Sequence, residues 1–371
     1  MKIVLHGYYG HGNFGDDIML LGLLQVINRF AEKKQRIKVY IWSYSQEVVR
    51  TDDFPFLKIY VLSGSGVWAK FTRLISLLTS NLVVWGGGTA LYEENEQAQG
   101  NNLAGLKGLL RFTSLVRLLR KNFVFLSVGV GHVVTKKGQS LVKRIVDLSS
   151  SIVLRDKESL LNLNTITGRS LDYPICGDLA MLLNSFPSLK PEVKGDGLHI
   201  SFSGMYYLEE AHAKQIASCL NELIRNLNAI IHFLPAQYNT LQNDNDFHRL
   251  VAQFIDVKQA CVIHEVENSN NYKDILSSMD FHIGMRLHSC VMADILNIPC
   301  LAISYSPKVT YYINKTEVLT NLRLKQLGEV FSSEDIQKIT RNTDYTLLQQ
   351  FLSCEKNLVE TNVNDLLDLH M

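Results

Sequence analysis

Short apolar, β-branched runs alternate with amphipathic segments along the whole chain, a pattern that predicts an α/β protein of parallel sheet and crossover helices. In the first half, strands are expected near Lys2 to Leu5, Lys38 to Trp42, Lys58 to Leu62, Leu82 to Trp85, Phe123 to Val128 and Ser151 to Leu154. Leu20, Leu23, Leu24 and Ile27 recur at helical spacing after the first strand, with Asp16 placed to cap that helix. The segment 187–197, dense in Pro, Gly and charge without an apolar period, reads as an interdomain linker. Beyond it, strands are expected near Leu198 to Phe202, Ala229 to Leu234, Cys261 to His264, Asp280 to Ile283 and Cys300 to Ser304. The economical architecture is two Rossmann-like domains facing across a cleft, residues 1–187 and 198–330, followed by a C-terminal helical segment, 331–371. No repeat of about 20 to 50 residues relates the halves, so they share a pattern only.

Composition narrows the function classes. The 371 residues are 46% hydrophobic and 20% charged, which excludes disorder and fibrous repeats. Lys+Arg 37 against Asp+Glu 36 leaves a net charge of +1, so the chain as a whole has no electrostatic attraction for nucleic acid. The six cysteines, with no pair closer than ten residues, suggest neither a zinc cluster nor a disulfide framework. The apolar start from Ile3 to Leu5 is too short for a signal peptide, and no run reaches the length that spans a bilayer. A cytoplasmic protein with free thiols is expected.

Ligands of open parallel sheets bind beyond the carboxyl ends of the strands, so the turns there are the places to look. The first contains G-x-G-x-x-G from Gly10 to Gly15, but Asp16 and Asp17 would open the helix where a pyrophosphate should meet only amide N–H groups. Nor does the second strand end on an acidic residue to hold a ribose. Gly12 would let backbone approach an uncharged, hydroxyl-rich ligand, with Asn13 and Asp16 as hydrogen-bonding side chains; a tight turn closed by a cap is the equal alternative. The second turn, Gly86-Gly87-Gly88, places costly glycines where side chains would collide with a ligand or a neighbouring backbone. Ser127 to His132 repeats the idea more weakly.

The fourth turn, Gly284-Met285-Arg286-Leu287-His288-Ser289, carries the most information. Gly284 gives the turn, and Met292, Ile295 and Leu296 bury one face of a helix starting near His288 or Ser289. Arg286 and His288 then sit at the positive end of a helix dipole, where a cation is disfavoured unless an anion joins it. An anionic ligand held by amides, the Ser289 hydroxyl and the Arg286 fork would resolve that conflict, and His288 could exchange a proton near neutral pH. The competing reading has His288 capping the helix and Arg286 paired with a structural carboxylate. Arg155, at a helix start after the strand ending at Leu154, and Lys308, after the strand ending at Ser304, could converge on the same anion.

These residues resemble the polysaccharide pyruvyl transferases. Gly10 to Asp16, Gly86-Gly87-Gly88, Arg155-Asp156, Cys176-Gly177-Asp178, Gly284 to Ser289, Pro299 and Tyr305-Ser306-Pro307-Lys308 follow in that family's order. The resemblance implies a fold like the two-domain GT-B glycosyltransferases. It also implies transfer of pyruvate from phosphoenolpyruvate, as co-substrate and with no required cofactor or metal, to two hydroxyls of a sugar as a cyclic ketal. Members act in bacterial capsule, exopolysaccharide and cell-wall polymer synthesis. The family's R-x-H core falls on Arg286 and His288, its basic donor contacts on Arg155 and Lys308, and the donor site on the second domain. After Lys308 the chain departs from the family pattern, with Val309-Thr310-Tyr311-Tyr312 replacing a glycine-containing continuation. Asp16 and Asp178 are the candidate general bases. A GT-B glycosyltransferase using a nucleotide sugar is the alternative, although the second half shows no acidic ribose clamp; a non-catalytic carbohydrate-binding subunit is the third reading.

From Gln97 to Val146 there is no Asp or Glu, while nine Lys and Arg fall in the same stretch. Leu109, Phe112, Val116 and Leu119 form an apolar stripe within it. A crossover helix with a basic solvated side is the first expectation. Peripheral contact with an anionic membrane, at the inner face of the cytoplasmic membrane and serving a lipid-linked oligosaccharide acceptor, is the second.

Overall fold

The computed structural model describes residues 1–34, 36–93, 103–183 and 197–370. Two units divide it. The first comprises Met1–His11, Asp16–Leu183 and Glu355–Met371, and the second Gly12–Gly15 and Asn184–Cys354. This division differs from the sequence-based one: four residues of the opening loop group with the second unit, and the expected C-terminal segment is shared, 331–354 grouping with the second unit and 355–371 with the first. Of the expected linker, all but Gly197 lies outside the described residues.

The strands of the first unit are β1 (Lys2–His6), β2 (Ile37–Trp42), β3 (Leu57–Leu62), β4 (Leu82–Gly86), β5 (Thr89–Leu91), β6 (Asn122–Val130) and β7 (Ser151–Leu154). All pair in parallel in the order β3-β2-β1-β4-β6-β5, with β7 also on β6. Ile3, Val4 and Leu5 are all buried, as befits a central strand covered on both faces. The helices are α1 (Phe14–Lys33), α2 (Val67–Thr79), α3 (Ala104–Leu118), α4 (Lys136–Leu148) and α5 (Lys157–Thr167). Asn13, not Asp16, caps α1, its Oδ1 accepting from the Gly15 N–H at 3.0 Å. The stripe on α3 faces inward, with Leu109 and Val116 buried, so the crossover-helix expectation holds for it.

The second unit contains β8 (Leu198–Ser203), β9 (Ala229–Phe233), β10 (Cys261–Ile263), β11 (Phe281–Gly284), β12 (Cys300–Ser304) and β13 (Leu324–Gln326), parallel in the order β10-β9-β8-β11-β12-β13. Its helices are α6 (Glu210–Leu227), α7 (Asp244–Gln253), α8 (Ser269–Ser277), α9 (Leu287–Ile295), α10 (Pro307–Thr316), α11 (Thr320–Arg323) and α12 (Ser333–Asn342). A long final helix, α13 (Tyr345–Leu369), carries the chain out of this unit. Its end packs on the first, where Glu360 pairs with Arg29 at 3.1 Å.

The second sheet thus has the 3-2-1-4-5-6 order of the Rossmann fold, and the first follows it through β3-β2-β1-β4 and, with the short β5 set aside, on through β6 and β7; the order reverses between β1 and β4 in one unit and between β8 and β11 in the other. In β8, Ile200 and Phe202 join an apolar core with α6, α7 and α12. Ser201 and Ser203 alternate to the other face and bond His282 and Tyr272. Among the described residues no helix is long and apolar enough to cross a membrane.

Candidate active site

The carboxyl ends of β8 and β11 flank the switch point of the second sheet, and Arg286 emerges there as the residue before α9. Its guanidinium grips the Asp244 carboxylate with two bonds, Nε to Oδ2 at 3.1 Å and Nη2 to Oδ1 at 2.5 Å. Asp244 is fully buried in the first turn of α7, where the helix dipole favours an anion, and it also accepts from the backbone N–H groups of Tyr206 and Gln237. Burial works against the Arg286 charge, and Asp244 outweighs it, so the guanidinium holds its proton above the ordinary arginine range. The dipole conflict expected to require an external anion is therefore met inside the protein. Arg286 is pre-aimed by Asp244, with its Nη1 edge not engaged by that carboxylate.

Aromatic rings extend the site. Tyr206 lies under the guanidinium at 5.7 Å, Tyr207 packs against Tyr206, Tyr305 against Tyr207, and the Lys308 ammonium lies 6.0 Å from the Tyr305 ring. Burial pushes the Tyr207 phenol up to about 12, so it stays protonated and can donate. Beneath them His248 accepts the Gly204 N–H on Nε2 and pairs with the Asn245 carbonyl through Nδ1; burial holds it neutral, lowered to about 3.

His288 lies in the first turn of α9 and is partly exposed. Its ring packs against Gly15, where an added Cβ would come within 2.6 Å of the imidazole Cγ. The opening loop is clipped into place for this contact. Gly12 O accepts from the Tyr238 N–H, the Asn13 amide donates to Gln237 Oε1 at 2.8 Å, the Phe14 N–H donates to Ala236 O, and the Phe14 ring stacks on Tyr272 at 3.8 Å. Gly12 has φ +67°, and an added Cβ would meet the Asn239 backbone nitrogen at 3.0 Å, so a side chain there is excluded by the protein itself.

Ser289 was expected to face the ligand. It is fully buried instead, its hydroxyl bonded to His282 Nε2 at 2.9 Å and to the Arg286 carbonyl at 2.7 Å, which makes it a support for the turn. Gly284 leaves room for this cluster, since an added Cβ would meet Cys290, His282 and Ser289 at 2.6 to 2.7 Å. His282, Cys290 and Cys300 also have ligand atoms within 4.8 Å of one another, the described trio that could hold a metal ion, but both His282 ring nitrogens already have serine partners. One strand over, α10 begins with Ser306 as its cap, Pro307 and the exposed Lys308. The Ser306 hydroxyl oxygen and the Gln237 amide nitrogen are buried without a hydrogen-bond partner.

In the first unit, Arg155 bonds Asp156 at 2.8 Å and lies 4.0 Å from Asp178. Two carboxylates against one guanidinium leave this pocket net negative, the wrong sign for an anionic donor. Asp178, committed to Arg155 and to the Ala180 N–H, is poorly placed as a general base. Gly87 and Gly88, at φ +71° and +70°, make room for Met19 and for the Asp16 carboxylate. Beyond β1 and β2, the exposed Tyr8 and Tyr44 stack on either side of the partly buried His11, with ring separations of 4.1 and 4.8 Å.

The model of the polysaccharide pyruvyl transferase family matches residues 13–307. The chain belongs to that family. Among curated proteins no sequence matches it. Solved structures similar to it include UDP-GlcNAc 2-epimerase from Neisseria meningitidis, with 12% identity, TM-score 0.56 and coverage of 100% of this chain and 99% of that one. A glycosyltransferase from Rickettsia africae is similar at 10% identity, TM-score 0.57 and coverage of 100% and 97%. UDP-GlcNAc 2-epimerase from Methanocaldococcus jannaschii is similar at 10% identity, TM-score 0.55 and coverage of 95% and 99%. At these identities the likeness is one of fold, the two-sheet GT-B type.

In this transferase the structure brings the sequence candidates Arg286, His288 and Lys308 to neighbouring helix starts, and adds Asp244, Tyr206, Tyr207 and Gln237, which were not among the candidates, around Arg286. Tyr206 and Tyr207 follow β8, and the rule that ligands bind beyond strand ends would have flagged them. Asp244 reads in sequence as an ordinary first-turn acid, and its pairing with a residue 42 positions away is visible only in the fold.

Proposed function

We propose that this transferase moves pyruvate from phosphoenolpyruvate to two hydroxyls of one sugar, forming a cyclic ketal, with the donor held by the second unit. The observation that carries this reading is the pair of neighbouring helix starts after β11 and β12. One bears Arg286 and His288, the other Lys308 and the unpartnered Ser306 hydroxyl. Two helix N-termini, a fixed guanidinium and an ammonium suit a ligand carrying both phosphate and carboxylate. Arg155 is left out of the donor site because of its net-negative pocket.

In the proposed reaction His288 gives a proton to the methylene carbon of the donor, and the adjoining carbon becomes an electrophile. One sugar hydroxyl attacks that carbon and loses its proton. The carbon–oxygen bond to phosphate then breaks, inorganic phosphate leaves, and the second hydroxyl closes the ring with loss of its proton. Positioned proton transfer contributes about 10² to 10⁴-fold, and fixed positive charge on the departing phosphate a comparable factor. The flat Tyr8–His11–Tyr44 stack of the first unit suits the apolar face of a pyranose acceptor.

The test is phosphate release from phosphoenolpyruvate in the presence of a panel of soluble and lipid-linked galactose, mannose and mannosamine acceptors, with mass spectrometry of the glycan. A pyruvyl addition with equimolar phosphate is expected. Hexose addition from a nucleotide sugar, or binding of the glycan without turnover, would overturn the reading.

A further inference from the structure

Helix α2 is built inside out. Its inward face is held by polar contacts: the Arg73 guanidinium donates to the carbonyls of Ser43 and Leu62 and lies over Trp42, and the Ser76 hydroxyl accepts from the Trp42 indole. Only Ser76 and Leu77 of this helix are buried. Val67, Trp68, Phe71, Leu74, Ile75 and Leu78, which recur at 3.6-residue spacing, all point to solvent, Trp68 being 79% exposed. A continuous apolar stripe on the outside of a helix needs a partner.

The surroundings say which one. Lys121 Nζ donates to the Leu78 carbonyl at 2.7 Å and the Ser80 carbonyl at 3.0 Å, joining the end of α3 to the end of α2. On α3, Leu115 and Leu118 are exposed, as are Arg111, Arg117 and, just past its end, Arg120, and Lys70 is exposed on α2 itself. No Asp or Glu occurs from Phe54 to Tyr92 or from Gln97 to Val146. A second copy docking through this face about a two-fold axis would set cations against cations, with no acid of these stretches to offset them. A surface that is apolar below and anionic at its boundary satisfies both features at once.

We propose that the outward face of α2, with the adjoining end of α3, seats the first unit on an anionic lipid bilayer, the stripe entering the headgroup boundary and the Lys and Arg residues meeting lipid phosphates. This surface is distinct from the α3 stripe that sequence alone suggested, and it does not depend on the donor chemistry.

The experiment uses the full chain without substrate, mixed with vesicles of phosphatidylcholine alone or with about one-third phosphatidylglycerol. Co-sedimentation with the anionic vesicles only is expected, weakened at high salt, together with a blue shift of tryptophan emission that Trp68→Phe removes. The double variant Phe71→Ser/Leu74→Ser should lower the partition coefficient at least tenfold, and each of Lys70→Glu and Arg117→Glu at least about fivefold, as each cation near an anionic surface is worth roughly that factor. All these positions are exposed, so circular dichroism and melting should stay at wild-type values. Binding to neither vesicle, or equal binding of the wild type and the double variant, overturns the proposal. So does a dimer in sedimentation velocity that the double variant dissociates, which would assign the face to a second copy.

Discussion

The two sheets share the order of their first four strands, yet their switch points are finished in opposite ways. Between β1 and β4 the space is filled by Tyr9, which is buried and donates its hydroxyl to the Gly86 carbonyl at 2.6 Å. Gly7 and Gly86 make room for that side chain, since an added Cβ would lie 2.6 Å from the ring at Gly7 and 2.6 Å from the hydroxyl oxygen at Gly86. Between β8 and β11 the corresponding space holds the Arg286–Asp244 pair beside a row of tyrosines and an unpartnered Gln237 nitrogen. A glycine-rich turn after a strand therefore has two meanings. In the first unit it admits the protein's own side chains; in the second, the glycines at 12, 15 and 284 make room for the groups that set Arg286 and His288 in place.

The two arginines give the sharpest way to break this contrast. Arg286→Lys keeps the charge but loses the two-pronged grip on Asp244, and we expect kcat/KM for phosphoenolpyruvate to fall by about 10² to 10³-fold. Arg155→Lys in the first unit should leave affinity for phosphoenolpyruvate within about threefold while lowering the melting temperature, because it loosens a contact among Asp156, Asp178 and the start of α5. Calorimetric titration well below the melting point of each variant separates the two. Equal losses of donor affinity would restore Arg155 to the donor site.

Much of this was legible without coordinates. The fourth turn announced itself through residue types that only make sense near an anion, and the strand pattern placed it at a carboxyl edge. The short strands β5 and β13 were not legible, since neither Thr89–Leu91 nor Leu324–Gln326 forms an apolar, β-branched run. Nor could the sequence say which face of a helix is turned inward. Val67, Trp68, Phe71, Leu74, Ile75 and Leu78 have the spacing of a buried face, and it is Arg73, reaching two backbone carbonyls, that fixes α2 the other way round. The docking of Gly12–Gly15 on the second unit was hidden for a related reason, as it rests on the Phe14–Tyr272 stack between residues far apart in the chain.

The glycines supply the next test in size. Ala is ordinarily a better helix residue than Gly by about 1 kcal/mol, so Gly15→Ala would stabilise α1 if nothing lay against it. His288 does, and we expect the ring to be displaced, with kcat falling about 10²-fold and donor affinity changing little. In the first unit Gly129→Ala would place a Cβ 3.0 Å from Arg155 Nη2 and from Thr89 Oγ1. That overpacking should cost about 1 to 3 kcal/mol of stability and leave kcat alone. A drop in kcat for Gly129→Ala, or none for Gly15→Ala, would remove the distinction between catalytic and structural glycines.

The smallest expected effect is in pH dependence, where the two units carry groups of opposite sign. His248 is held neutral in the fold, at about 3 against 6.5 unfolded, so its contribution is complete above about pH 6.5 and is lost as the pH falls toward 3. That loss is on the order of 2 kcal/mol by pH 5. Asp17, buried and accepting from the Gly10 N–H, is raised to about 7 from 3.8, so the folded form binds the extra proton and stability declines as the pH rises from about 4 to 7, again by on the order of 2 kcal/mol between pH 5 and 7. Asp17→Asn retains an acceptor oxygen for Gly10 and should raise the urea midpoint at pH 8 more than at pH 5. His248→Gln should flatten the acid limb between pH 6.5 and 4, whatever its effect at neutral pH. If the wild-type and His248→Gln midpoints fall in parallel over that window, the neutral imidazole beneath Arg286 is not what makes the second unit sensitive to acid.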